Sequence, residues 1–244
     1  MASFARQYKR AHSRCDALVC NAAINGFTAK TLPSTITEDG FNVVWQANFL
    51  GHWLLARLLQ PEVERAKGRV VFVSSCMHAA GDPQAASKIA RIRGCRGQYE
   101  STKLASGLAA RELTRRFRAS GSGAVAHAAT PGAVMTDIFR DMPNKALLAP
   151  FMRCLFLSPE QGASTSVAAA TDPRLGEGSP SRYLVPYWHA GCRAEPLRTL
   201  FDTWGCYVGA IEGVASTNMG GKCADEDARE LGRLSDEAVA AFLS

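Results

Sequence analysis

The sequence predicts an α/β domain built on a parallel sheet, and three observations carry that reading. The first is the run Arg69-Val70-Val71-Phe72-Val73. It is short, unbroken and rich in β-branched residues, and it stops at two hydroxyls, Ser74 and Ser75. Such a run is the pattern of a strand buried on both faces of a parallel sheet. The second is that three further apolar runs, Asp16–Cys20, Ala124–Ala129 and Tyr183–Pro186, are separated from it by segments of helical period. Strands that alternate with helices in this way imply crossover connections and a layered α/β domain. The third is that 244 residues with 47% hydrophobic content allow one sizeable core.

Taken in order, Met1–Arg14 reads as an amphipathic basic helix with Phe4 and Tyr8 on one side. The first strand, Asp16–Cys20, runs into Asn21-Ala22-Ala23, where small residues let backbone approach a ligand; an ordinary strand-to-loop turn explains them equally. Thr37 is the predicted N-cap of a helix with Glu38 and Asp39 in its first turn, running to Gln60 and stopping before Pro61. Its apolar stripe contains Phe41, Val44, Trp45, Leu55 and Leu59, with Asn48 and His52 as polar members. A buried amide needs partners, so Asn48 is expected to hydrogen-bond a neighbouring strand; His52 is assigned no chemistry. Gly81–Gly97 reads as a polar surface loop beside the substrate mouth. A helix over Gln98–Arg118 follows, ended by Gly121-Ser122-Gly123. Leu147–Leu157 is apolar enough to be core, a lid, a dimer contact or a membrane-surface helix. Ser158-Pro159-Glu160-Gln161 supplies N-cap, Pro at N1 and a capping box for a helix over Pro159–Ala170. Helices are also expected over Leu197–Ala210 and Ser235–Leu243. The domain is placed at 1–212, with 213–244 as an extension without assigned role.

The composition narrows the function classes. Eight Cys occur with no Cys-x-x-Cys and no paired Cys/His spacing, so no metal site and no disulfide framework is predicted, and a reducing, cytoplasmic setting fits. No apolar stretch has the form of a signal peptide or the length of a membrane span. The formal net charge is +6. Its sources are local: Lys88, Arg91, Arg93 and Arg96 in one loop, and Arg111, Arg115, Arg116 and Arg118 late in a helix, where cations complement the macrodipole. Without interleaved aromatic residues, nucleic-acid binding is not expected.

The chemistry centres on Tyr99 and Lys103. Four residues apart on a helix, they share one face. With Ser75 at a strand's carboxyl end, they form a proton-transfer site in which the Lys103 ammonium favours the ionised Tyr99 phenol. The order Asn21-Ala22-Ala23, Asn48, Ser75, Tyr99 and Lys103, then Pro131-Gly132, resembles the short-chain dehydrogenase/reductase superfamily. The wording around it is most similar to the retinol dehydrogenase-like branch: Asp39-Gly40-Phe41, Asn48-Phe49-Leu50-Gly51-His52-Trp53-Leu54-Leu55, the Ser75-to-Tyr99 spacing, and Ser158-Pro159-Glu160-Gln161-Gly162-Ala163. The likeness covers residues 2–212.

That resemblance implies an oxidoreductase that moves a hydride between NADP or NAD and a hydrophobic alcohol/carbonyl substrate, retinoid-, steroid- or aldehyde-like. It implies Tyr99 as proton donor or acceptor, Lys103 as its electrostatic partner and a ribose ligand, Ser75 as hydrogen-bond donor to the carbonyl oxygen, and Asn48 in a proton relay. The cofactor would lie against Asn21, Ala22, Ala23, Tyr99, Lys103, Pro131, Gly132, the backbone of Val134 and the hydroxyl of Thr136. Cys20 and Ala23 stand where the family reads the first Asn and the Gly of Asn-Asn-Ala-Gly. No Gly-rich turn precedes Asn21, so the expected fold is a three-layer Rossmann-like parallel sheet truncated at its N-terminus. Its four strands should end near Cys20, Val73, Ala128 and Val185, the first of them an unpaired edge. A working oxidoreductase seen here as an incomplete chain, with little activity of its own, and a non-catalytic truncated homologue acting as an interaction or regulatory protein are both compatible with this. A homo-oligomer and a membrane-surface contact stay open.

Overall fold

The computed structural model describes residues 1–85, 98–145, 147–150, 156–185 and 225–243. Four strands form its sheet: β1 (Ala17–Cys20), β2 (Arg69–Val73), β3 (Val125–Ala129) and β4 (Tyr183–Leu184). All neighbours are parallel and the spatial order is β1-β2-β3-β4. Each strand lies within about a residue of its expected end, because an apolar run bounded by turn residues leaves little freedom in where pairing starts and stops.

Alternation along the strands makes three layers. Val70, Phe72, Ala126 and Ala128 face a large core with Trp53, Leu104, Leu108 and Leu113. Val71, Ala129 and Leu184 point the other way, onto Ala169 and Leu175. The first layer contains α1 (Ala2–Ala11), α3 (Val43–Trp45), a π-helical segment (Gln46–Leu50), α4 (Gly51–Leu58), α5 (Gln60–Ala66) and α6 (Gln98–Ser120). The second contains α7 (Pro159–Thr171), whose Ser158 capping box forms as expected. A short helix, α2 (Gly26–Lys30), follows β1. The edge strand β1 leaves Val19 43% exposed.

Three expectations need correction. The second helix does not begin at Thr37. Residues 36–42 make a tight turn instead, with Thr37 N–H donating to Phe41 O at 2.8 Å and Gly40 at φ +80°. Asn42 is the cap, its side chain accepting from Val44 and Trp45 N–H. Asn and Thr are both good caps; the left-handed conformation at Gly40 selects the later one, leaving Glu38 and Asp39 outside the helix. Nor does Pro61 end helical structure. The chain breaks at Leu59 and restarts, with Pro61 in the first turn of α5, where its missing N–H costs nothing. The last helix, α8 (Asp225–Leu243), starts ten residues before Ser235.

That helix packs on α6 and α4, burying Ala228, Leu231 and Val239. Asp236 accepts from Trp53 Nε1 at 2.9 Å, Arg57 Nε at 3.0 Å and Arg116 Nη1 at 2.6 Å. Asp225 takes Arg111 at 2.5 Å. Part of the basic cluster late in α6 is therefore paired within the fold. The expected helix over Leu197–Ala210 and most of the Gly81–Gly97 loop lie outside the described residues, as does the middle of Leu147–Leu157.

Candidate active site

β2 ends at Val73, and the next two residues turn the chain toward α6. Ser74 N–H still pairs with Ala129 O at 2.7 Å, while its hydroxyl donates to Lys103 O at 2.7 Å. Ser75, in extended backbone, caps a 3-10 turn over Cys76–Ala80 with its Oγ accepting from Met77 N–H at 3.3 Å. The same hydroxyl lies close enough to the Tyr99 phenol to favour its ionised form. Lys103, one turn on, donates from Nζ to Val73 O at 2.9 Å, and that nitrogen lies 5.4 Å from the centre of the Tyr99 ring. Ser75, Tyr99 and Lys103 are thus brought together at the carboxyl ends of the strands.

Burial sets their protonation. It pushes the Tyr99 phenol up to about 12; the neighbouring Ser75 hydroxyl works against that rise, and Cys76 and Glu100 add to it. Burial likewise pulls the Lys103 ammonium down to about 8. Phenol and ammonium both keep their protons at neutral pH, although the neighbouring Lys103 charge favours the ionised phenol. Desolvation outweighs the charge, since Nζ is committed to a main-chain carbonyl. His52, also beside Lys103, is driven to about 4 by burial and by that neighbouring charge, so it is neutral at physiological pH.

Asn48 has a different set of partners from a strand. Its Oδ1 accepts from Ile24 N–H at 2.8 Å, and its Nδ2 donates to Ile24 O at 2.8 Å and to Thr102 Oγ1 at 3.2 Å. It therefore ties the loop after β1 to the helix that carries Tyr99 and Lys103. The π-helical turn around it re-aims its side chain relative to a regular helix, a feature frequent at functional sites.

The remaining site candidates follow the carboxyl ends of β1 and β3. Asn21 and Ala22 are exposed, with Ala23 half-buried, just past the end of β1. Pro131 and Gly132, the latter at φ +80°, follow β3. Val134 pairs with Leu157 through bonds made by its neighbours: Leu157 N–H to Ala133 O at 2.8 Å and Met135 N–H to Leu157 O at 3.0 Å. By the alternation of a ladder, the N–H and C=O of Val134 itself face the other side. Thr136 is exposed and precedes a 3-10 turn over Asp137–Phe139. Asn25 Nδ2 donates to Ile138 O, and Thr28 Oγ1 to Asp141 Oδ2 at 2.8 Å. These bonds join the segments after β1 and β3.

Gly162 of α7 sets the position of Val134. A Cβ there would lie 2.4 Å from Val134 Cγ2, so Gly162→Ala must displace the segment after β3. Its better helix propensity does not compensate for that overlap. We expect a net loss of about 1–3 kcal/mol in urea unfolding; equal or greater stability would mean that Val134 is free to move.

Residues 1–146 match the family model for short chain dehydrogenases. The chain belongs to that family. It is 34% identical over 181 residues to retinol dehydrogenase 13 of Mus musculus, covering 70% of this chain and 52% of that protein. With polyprenol dehydrogenase of Mus musculus it shares 37% identity over 208 residues, 82% of this chain and 59% of that protein. The chain therefore spans little more than half the length of these curated relatives. Among solved structures, an uncharacterized protein from Mycobacterium paratuberculosis matches with TM-score 0.62 and 26% identity, over 98% of this chain and 72% of that one. The 3-alpha-hydroxysteroid dehydrogenase from Pseudomonas sp. B-0831, complexed with NADH, matches in fold with TM-score 0.54 and 18% identity, over 79% of this chain and 80% of its own.

The parallel sheet of this short-chain dehydrogenase is the Rossmann-like architecture expected, and its retinol dehydrogenase-like relatives agree with the motifs read from the sequence. Two residues at the site escaped that reading. His78 and Tyr183 both contact the main chain of Ser75. A lone His in a turn and a Tyr in a short strand carry no periodic signal. No helix among the described residues is long and apolar enough to cross a membrane.

Proposed function

We propose that the chain carries the proton-transfer half of an NADP- or NAD-dependent oxidoreductase acting on a hydrophobic carbonyl/alcohol pair. The observation that carries this reading is the convergence of Ser75, Tyr99 and Lys103 at the end of β2, with the protonated phenol beside the Ser75 hydroxyl and the Lys103 ammonium. When bound, the nicotinamide would supply or take the hydride at the substrate carbon. For a carbonyl substrate, the Ser75 hydroxyl donates a hydrogen bond to the oxygen and Tyr99 transfers its proton there, leaving an alcohol and a phenolate that solvent reprotonates. In the reverse direction Tyr99 accepts the alcohol proton. Lys103 stabilises the phenolate formed in turnover, and Asn48 keeps the loop at Ile24 in register with α6.

The donors present suit the nicotinamide-ribose end of a dinucleotide: Tyr99, Lys103, the outward backbone of Val134 and Thr136, with Gly132 permitting close approach. For the pyrophosphate the sequence offers no Gly-rich turn. A few hydrogen bonds of about 1 kcal/mol each do not offset the roughly 4 kcal/mol or more that immobilising a ligand costs. The expected calorimetric result is weak binding of NADPH and NADH, with a dissociation constant no tighter than about 1 mM; micromolar binding by the folded monomer would refute this.

A greasy substrate is supported by apolar side chains on the segments after β1 and β3. Leu147 is 80% exposed, Phe27 and Leu32 are partly exposed, and the Phe139 and Phe156 rings pack tilted with 5.5 Å between centroids. The names of the relatives, retinol and polyprenol dehydrogenase, point the same way. The test is product formation from retinal, a steroid ketone and a long-chain aldehyde at millimolar NADPH or NADH. Turnover that vanishes in both Ser75→Ala and Tyr99→Phe supports the reading, and turnover that survives in both removes this site from the chemistry. A second reading, strand pairing with a protein partner, is favoured by the exposed outer edge at Val19; light scattering showing only monomer at high concentration would count against self-pairing.

A further inference from the structure

The Ser75 main-chain carbonyl is unusually crowded with donors. It accepts the His78 backbone N–H at 3.0 Å, as the 3-10 turn requires. It also lies 2.6 Å from His78 Nδ1 and 3.1 Å from the Tyr183 hydroxyl. His78 and Tyr183 are both buried, and their rings pack 4.8 Å apart. The register explains how a residue of β4 reaches the end of β2. Phe72, Ala128 and Tyr183 form one row across three strands, and the middle member is an alanine, over which the Tyr183 ring can lie.

The contact distances assign the proton on His78. A carbonyl oxygen cannot donate, so the 2.6 Å approach of Nδ1 requires the tautomer with hydrogen on Nδ1. That nitrogen then cannot accept from Tyr183, 3.0 Å away. The Tyr183 proton goes to Ser75 O instead, with Ser74 Oγ at 3.4 Å as the alternative acceptor.

We propose that His78 and Tyr183 are positioning residues, which clamp the Ser75 carbonyl so that the hydroxyl of the same residue stays aimed at Tyr99. This rests on the Ser75–Tyr99 contact that carries the proposed function. Two side-chain donors on one carbonyl fix the peptide plane that follows Ser75. Without them that carbonyl keeps only the turn's own bond, and the Ser75 side chain can rotate away from the phenol.

The experiment reads the Tyr99 ring directly in the 244-residue chain labelled with 13C at the tyrosine Cζ, the resonance being identified by its loss in Tyr99→Phe. Ser75→Ala calibrates the displacement caused by losing the Ser75 hydroxyl beside the phenol. Tyr183→Phe keeps the ring against His78 and removes one oxygen, so the fold is retained; His78→Ala removes the second donor, and His78→Asn puts an amide N–H close to where Nδ1 stood. The expected result is that Tyr183→Phe and His78→Ala shift the Tyr99 signal in the direction of Ser75→Ala and by a comparable amount, while His78→Asn leaves it near its original position. The inference is overturned if Ser75→Ala shifts the signal and neither Tyr183→Phe nor His78→Ala does, or if His78→Asn behaves as His78→Ala. If Ser75→Ala itself leaves the signal unmoved, the contact behind the proposed function fails, and this inference with it.

Discussion

Replacing Tyr99 by phenylalanine is expected to lower carbonyl reduction by about 10²–10⁴-fold, the usual contribution of a positioned general acid. The change removes one oxygen from a half-buried ring and leaves the helix Gln98–Ser120 intact, so folding should be little affected. What disappears is the phenol that faces the Ser75 hydroxyl and the Lys103 ammonium. The pH profile adds a second check. Because the phenol is pushed up to about 12, it remains a competent donor across the neutral and mildly alkaline range, and the reductive rate should not fall through phenol ionisation below that value. Any loss of rate near pH 8 instead reports the Lys103 ammonium. Product formation from retinal at millimolar NADPH, compared between wild type and Tyr99→Phe, decides the point: an undiminished rate would take Tyr99 out of proton transfer.

Lys103→Met is expected to make the folded chain more stable at neutral pH while removing the site's ammonium. Lys103 is only 2% exposed, and its Nζ donates to the neutral carbonyl of Val73. The sign follows from its depressed value. Between about pH 8 and the ordinary lysine value of 10.5, the unfolded chain still holds the proton that the folded chain has released. Folding stability therefore rises with pH through that window. Below pH 8 the cost of burying the charge is present in full, on the order of 3 kcal/mol, partly offset by the hydrogen bond to Val73. Tyr99, whose value is raised, loses its contribution above pH 10, but it does so in wild type and variant alike. Urea unfolding of the two proteins should then show a stability gap that narrows from pH 8 to pH 10.5. A gap constant over that range would mean that Lys103 is solvated in solution.

Such a trade, in which a charge is kept in the core at the expense of stability, is what distinguishes a functional lysine from a structural one. It also suggests why Lys103 and Ser75 share so many main-chain ties. Ser74 holds Lys103 O, Lys103 holds Val73 O, and Tyr183 with His78 holds Ser75 O. The end of β2 and the first turns of α6 are laced together by side chains bonding to backbone, which fixes the groups that do chemistry more tightly than the loops around them.

By itself the sequence determined the parallel sheet, the positions of its four strands and the helix that carries Tyr99 and Lys103. Those features depend on local periodicity and on apolar runs with sharp ends, and both are written residue by residue. It also marked Ser75, since a hydroxyl at the end of a buried strand stands out against the pattern. Only the tertiary structure decided the rest. The choice of Asn42 over Thr37 as a cap turned on a left-handed glycine and a tight turn. The protonation of Tyr99 turned on how much of the core closes around it, which no spacing of residues records. Asn48 reaches a loop rather than a strand because a π-helical turn redirects it. His78 and Tyr183, 105 positions apart, meet at one carbonyl because Ala128, beside Tyr183 in the sheet, leaves room for the Tyr183 ring. Each of these depends on contacts between segments distant in the chain, and their geometry exists only once the layers have packed.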